Sequence, residues 1–328
     1  MNITSTAVAI ALAIVAALSL GAQAQEAAKL VRIGRLAPLS EEAAAPQSEA
    51  FRRGMRDLGW VEGTNYTLES VYAHGKLDRL PALAAELVQR RVDIILAGSS
   101  PGTLAVKNAT RTIPVVMVTT GDPVADGLVQ SLARPGGNVT GLTTLAQGLN
   151  AKRVQLLKES VSGMTRMAVL TNPGDSYAAA FAKEREEVSR ALGVKIQVLE
   201  ASAPSMFEQA FAAAAGERAQ ALSVLSGIVF LTHRQAIVEI AASRRLPAIY
   251  PERAFVEGGG LMYYGASLSD MWRHVAAHVD KILKGAKPAD LPVEQPTKFE
   301  LVINLKTARQ LGLKIPQSVM LRADQLIE

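Results

Sequence analysis

From residue 30 onward, short β-rich runs alternate with helical runs, and that order admits few folds. Val31–Leu36 reads as a strand, Glu42–Leu58 as a helix stopped by Gly59, and Tyr66–Tyr72 as an alternating strand. Leu80, Leu83 and Leu87 share one face of a helix, with Pro81 tolerated in its first turn. Val92–Ala97 is apolar but for Asp93, as expected of a strand covered on both faces. Helix Thr103–Ala109, strand Ile113–Thr119, a short helix through Leu132 and strand Asn138–Leu142 complete a first series.

A second series runs helix Ala151–Val161, strand Met167–Thr171, helix Tyr177–Leu192, strand Val194–Leu199, helix Met206–Ala215, strand Ala221–Leu225, helix Arg234–Ser243 and strand Ala248–Tyr250. Strand 260–266 and helix Leu268–Leu283 follow, the helix striped by Met271, Val275, Val279 and Ile282. The tail holds strand Phe299–Ile303 and a short helix. Repeated β-α units build parallel sheets. The expected fold is α/β: two Rossmann-like lobes with parallel sheets of about five and four strands.

Such sheets bind ligands beyond the carboxyl ends of their strands. The residues there are small and polar: Pro38-Leu39-Ser40, Gly98-Ser99-Ser100, Thr119-Thr120-Gly121-Asp122, Thr143-Thr144, Asn172-Pro173 and Ser226-Gly227. Small residues let a ligand approach the backbone, and a helix start attracts a carboxylate. Asp122 can meet a ligand ammonium or cap the short helix expected after it. Asn172 can reach a ligand or serve the turn Asn172-Pro173-Gly174-Asp175. Tyr250, Tyr263 and Tyr264 can supply an aromatic wall or pack in a core.

Gly98-Ser99-Ser100-Pro101-Gly102 also fits G-x-S-x-G, the nucleophile elbow of a hydrolase. His233, His274 and His278 lie downstream as partners for Ser100. Only about two strands precede the motif, no HGGG-like segment lies upstream, and Pro101 removes one oxyanion N–H. Ser99 and Ser100 therefore read as ligand contacts or helix caps. The His274/His278 pair has metal spacing but lacks the Glu of H-E-x-x-H, which favours a surface or packing role. Walker A and G-x-G-x-x-G motifs are absent, so no cofactor is expected. The charge of +5 is scattered rather than clustered, which gives no support for nucleic acid as a partner.

Residues 7–20 are apolar, shorter than the roughly 18–20 residues that span a membrane, and Ala22-Gln23-Ala24 fits a cleavage site. Residues 1–24 are expected to be a secretory signal peptide, although no basic residue precedes the apolar run. There is no cysteine, which excludes disulfides, thiolate metal sites and a lipoprotein anchor. A soluble periplasmic protein is expected.

The segments "LDRLPALAAELV", "TIPVVMVTTGDPVADGLVQSLARPGGNVTGLT", "AKRVQLLKE", "LPAIYPERAFVEGGGLMYYG" and "QPTKFELVINLKTARQLGL" are spread along the chain from Leu77 to Leu313. In them the chain resembles the ABC-transporter substrate-binding proteins related to tryptophan-binding TrpX. The resemblance implies a type I periplasmic-binding-protein fold closing on a small ligand, an aromatic amino acid or other small carboxylate. It also implies an ABC permease as partner, a monomer and no catalysis. It suggests hinge crossings near residues 144–147, 244–247 and 264–267. The first lobe would then hold 25–145 with 246–265, and the second 146–245 with 266–328. Cleft positions carried over from it are Ser40, Ser99, Ser100, Thr119, Asp122, Asn172 and Tyr250. "LSGIVFLTHRQ" lacks the acidic-Pro segment many relatives carry near Gly227, and "APLSEEAAAPQ" is unusually acidic and Ala-rich, so the ligand is expected to differ from that of close relatives.

Overall fold

A computed structural model describes residues 30–145 and 148–328. The expected signal peptide lies outside the described residues, as do residues 146–147 of the first expected crossing. The first series forms strands β1 (Val31–Ala37), β2 (Tyr66–Tyr72), β3 (Ile94–Gly98), β4 (Val115–Thr119) and β5 (Val139–Thr143). They make one parallel sheet in the order β2-β1-β3-β4-β5. Helices α1 (Glu41–Asp57), α2 (Leu80–Gln89) and α3 (Ser100–Ala109) connect its strands. Residues 121–132, expected to hold a short helix, form turns instead. There Asp122 Oδ1 accepts from the N–H groups of Val124 and Ala125, closing a turn rather than starting a helix.

The chain then enters a second lobe with α4 (Leu149–Ser160), β6 (Arg166–Thr171), α5 (Ser176–Leu192), β7 (Lys195–Glu200), α6 (Phe207–Gly216), β8 (Leu222–Val224), α7 (Ile228–Thr232), α8 (Arg234–Ser243), β9 (Ala248–Tyr250), α9 (Arg253–Glu257) and β10 (Met262–Ala266). Helix α10 (Leu268–Leu283) is followed by β11 (Phe299–Asn304), α11 (Leu305–Leu311), α12 (Gln317–Met320) and β12 (Gln325–Ile327). The second sheet has seven strands, ordered β12-β11-β10-β9-β8-β6-β7, with only the β10–β11 pair antiparallel.

Sheet membership corrects the division of the chain. Residues 246–265 were expected in the first lobe, but β9 pairs with β8 and β10 pairs with β9 and β11, so the chain stays in the second sheet through 244–247. Residues 266–328 were expected in the second lobe, but α10 leaves it. Its stripe of Met271, Val275 and Val279 is buried with Ile33, Phe51, Val116 and Leu142 of the first lobe. After α10, Glu294 bridges to Leu142 of β5, and only then does β11 rejoin the second sheet. The three passages between lobes thus lie near 144–148, 266–268 and 295–298.

Helix α10 can leave because α1 receives it at a glycine. A Cβ on Gly54 would stand 2.2 Å from the Arg273 carbonyl oxygen and 2.8 Å from Ala276 Cβ. Gly54→Ala is therefore expected to cost about 1–3 kcal/mol by forcing the helices apart. A lowered urea midpoint with an unchanged slope would show it; an unchanged midpoint would mean the helices separate freely.

Candidate functional site: a cleft between the lobes

A cavity of about 300 Å³ opens where the carboxyl ends of the two sheets face each other. The first lobe contributes Pro38 and Leu39 after β1, Gly98–Pro101 after β3, Thr120, Gly121 and Asp126 after β4, and Trp272 from α10. The second contributes Gly174, Asp175 and Tyr177 after β6, Ser226–Ile228 after β8 and Glu252 after β9. Strand-end loops form the site because a parallel sheet points all its strand ends one way.

Ser99 and Ser100, from the sequence reading, line this cavity. Ser99 holds φ at +70°, an uncommon conformation for a residue other than glycine, and its Oγ accepts from the Gly102 N–H at 3.3 Å. It thereby caps α3, whose N-terminus opens onto the cavity. The other five positions do not line it. Ser40 caps α1, its Oγ accepting from the Ala43 N–H at 3.3 Å. Thr119 is buried and donates to Thr143 Oγ1 at 3.3 Å. Asp122 is committed to its turn. Asn172 Oδ1 accepts from the Gly174 N–H at 3.1 Å. Tyr250 is buried and stacks on Phe255 with ring centroids 4.8 Å apart. Ser40, Asp122 and Asn172 each found a backbone N–H in the adjoining turn or helix start, as short polar side chains do there, and Thr119 a hydroxyl on the neighbouring strand.

Among the described residues that line the cavity there is no histidine, so Ser100 has no imidazole base within it. His274 Nδ1 lies 2.8 Å from the Asp270 carbonyl of its own helix, and the buried His278 Nε2 lies 3.1 Å from the Pro292 carbonyl. Neither ring faces the cleft.

The residues the sequence reading missed are larger or charged. Trp272 is 2% exposed and forms part of the wall. Behind it Arg35 is fully buried, its guanidinium 4.7 Å from the ring centroid. Arg35 also donates to Ser48 Oγ and to Gln47 Oε1, the latter at 2.9 Å. Burial pulls its guanidinium down to about 10, so it stays protonated at neutral pH. Gln47 lines the cavity, and with its oxygen engaged it offers a ligand its amide N–H groups.

The second-lobe wall is acidic. Glu252 is 7% exposed, and burial pushes its carboxyl up to about 7 against the pull of Arg153 and a hydrogen bond with Ser226. Burial likewise raises the Asp175 carboxyl to about 6, with Asn172 opposing and Asp126 adding charge repulsion. Arg153 is itself engaged, donating to the Tyr264 carbonyl at 2.9 Å, to Asn150 Oδ1 at 3.3 Å and to Tyr177 Oη at 3.4 Å. Asp175 and Glu252 lie four and two residues after strand ends, and Asp126 seven residues after one, in the turns that follow β4. The right segments were legible in the sequence; which side chain turned inward was not. Trp272 neighbours Met271 on an amphipathic helix and reads there as core.

Residues 32–327 match the family model described as ABC transporter substrate binding protein. The chain belongs to that family. A tyrosine-binding protein of Clostridioides difficile is 24% identical over 266 residues, covering 81% of this chain and 76% of that protein. A conserved domain protein of Vibrio cholerae is 26% identical, with a TM-score of 0.84 over 91% of this chain and 100% of that one. An ABC domain of Streptococcus pneumoniae solved with L-Trp has a TM-score of 0.83 at 24% identity, again over 91% and 100% of the two chains. The two mostly parallel sheets are those of the type I periplasmic-binding-protein fold. Among the described residues, no helix of this substrate-binding protein is long and apolar enough to cross a membrane.

Proposed function

We propose that this chain is the solute receptor of an ABC importer, capturing an aromatic or apolar amino-acid-like compound between its lobes. One observation carries the reading: both lobes line a single cavity that combines polar strand ends with an apolar wall of Trp272, Leu39, Leu104, Ile228, Leu231 and Leu268. The tyrosine-binding relative and the L-Trp-bound neighbour support the ligand class. Bound ligand bridges the lobes, so it favours the closed form, and the three passages near 144–148, 266–268 and 295–298 serve as the hinge. The closed form then docks on a permease. The protein acts outside the cytoplasmic membrane, as a monomer, after loss of residues 1–24, and does no catalysis.

The test is a thermal-shift series on residues 25–328, stripped of bound solute by denaturation and refolding, followed by solution scattering. L-tyrosine, L-tryptophan, L-leucine and D-xylose are the probes. A binding amino acid at about 100 times its Kd is expected to stabilise by roughly 2.7 kcal/mol and to reduce the radius of gyration. A shift with D-xylose alone would overturn the ligand class, and tight binding without compaction would overturn hinge closure.

A further inference from the structure

Three carboxylates line the cleft, and the protein answers them only in part: Asn172 hydrogen-bonds Asp175, and Ser226 and the charge of Arg153 act on Glu252. Asp126, Asp175 and Glu252 all line it, the first from one lobe and the others from the opposite lobe. Each keeps one buried carboxylate oxygen without a hydrogen-bond partner: Asp126 Oδ2, Asp175 Oδ2 and Glu252 Oε2. Glu252 is more than nine-tenths buried. Among the described residues lining the cavity there is no lysine, arginine or histidine. The nearby cations are already committed, Arg153 to Tyr264, Asn150 and Tyr177, and Arg35 to the back of Trp272. Space has been left for one of these carboxylates: a Cβ on Gly227 would stand 2.7 Å from Asp175 Oδ2. Among the described residues, no group of His, Asp and Glu side chains is gathered closely enough to hold a metal ion. Acceptors spread around a cavity suit an ammonium, whose N–H donors diverge.

Resting on the receptor reading above, we propose that Asp126, Asp175 and Glu252 seat a protonated amine of the ligand, so that capture requires an amine and the ammonium ties the two lobes together. A charge-assisted hydrogen bond from the ammonium to each lobe would be lost on opening. Without a cation, Asp126 and Asp175 repel each other across the cleft. The carboxylate end of an amino acid would then point to the other wall, toward the start of α3 and the Gln47 amide, with the Arg35 cation behind.

Matched sets decide it by calorimetry at about pH 8: L-tyrosine, tyramine and 3-(4-hydroxyphenyl)propionate; L-tryptophan, tryptamine and 3-indolepropionate; L-leucine, isoamylamine and 4-methylpentanoate. Each amine-free acid is expected to bind about 10- to 100-fold more weakly than its amino acid. An amine-free acid binding within about threefold of its amino acid would overturn the amine seat and leave the receptor reading standing. A second readout needs no ligand. The stripped Asp175→Asn and Glu252→Gln proteins are expected to melt above the native protein at about pH 8 and to lose that advantage by about pH 5, where the native carboxyls take up protons. The groups facing them are Asp126 and Asn172 for Asp175, and Arg153, Ser226 and Tyr263 for Glu252. Variants that melt below the native protein at about pH 8 would show that the protein itself answers these charges, which overturns the proposal. Should no member of the panel bind, the ligand class of the receptor reading fails, and the melting comparison still decides the amine seat.

Discussion

Trp272→Ala is expected to destabilise the protein by about 3–5 kcal/mol, the range for deleting a large buried aromatic. The ring is 2% exposed and packs with Phe51, Met271 and Val275 in the first lobe. It also covers Arg35, a buried cation whose Nε has no hydrogen-bond partner and whose other contacts are to neutral oxygens. Removing the ring takes away a contact worth about 0.5–2 kcal/mol and lets water reach a guanidinium the fold now keeps dry. Trp272→Phe should recover most of the packing and part of the attraction, because a phenyl face still meets the cation. Urea unfolding of the three proteins checks this. A loss below about 1 kcal/mol for the alanine variant would mean that the wall collapses onto the gap and that Arg35 does not depend on the ring. Binding should fall in the same order, since the same face lines the cavity.

The empty protein is expected to lose stability as pH rises from about 4 to about 7, opposite to the usual acid denaturation. Burial pushes the Asp175 carboxyl up to about 6 from the ordinary 3.8 of an aspartate, and the Glu252 carboxyl up to about 7 from the ordinary 4.5 of a glutamate. Both values are raised, so both groups favour folding most while protonated. That contribution is complete below the unfolded values and is lost as pH climbs through the folded ones. Each group accounts for on the order of 3 kcal/mol, with the share of Asp175 trimmed by solvent because it is only partly buried. Asp280 runs the other way. Burial, which raises it, is outweighed by Lys284 and by the Trp60 indole N–H, so its carboxyl sits low and its contribution is lost only as pH falls toward and below 3.8. The two windows therefore separate. Thermal melts of stripped protein across this range check the prediction. A melting temperature that climbs steadily to pH 7 would mean that Asp175 and Glu252 are already compensated.

Much of the architecture was legible because strands covered on both faces leave a plain signal. Ile94–Gly98 and Val115–Thr119 are buried throughout and lie where the apolar runs put them. Leu268–Leu283 was legible as a helix from its stripe, yet the stripe says only that one face is buried, not against which lobe. The close approach at Gly54 settles that, and it joins residues more than two hundred positions apart. The element order put strand Ala248–Tyr250 in the second series, and its register with Leu222 and Ser223 agrees; the crossing near 244–247 came from the resemblance instead, and a three-residue strand carries too little pattern to argue against it.

At the site, the sequence by itself determined that a cleft would form at the strand ends, because parallel β-α units leave no other common edge. Ser99, Ser100, Ser226 and Gly227 all line the cavity on that ground. It could not determine that Asp126 rather than Asp122, or Glu252 rather than Tyr250, faces the cleft. A residue's direction there depends on which backbone N–H or aromatic neighbour captures it first, as the turn captures Asp122 and Phe255 captures Tyr250. Tertiary structure alone decided the acidic lining, because it brings together three carboxylates from loops that are distant in the chain and leaves each with an oxygen the protein does not answer.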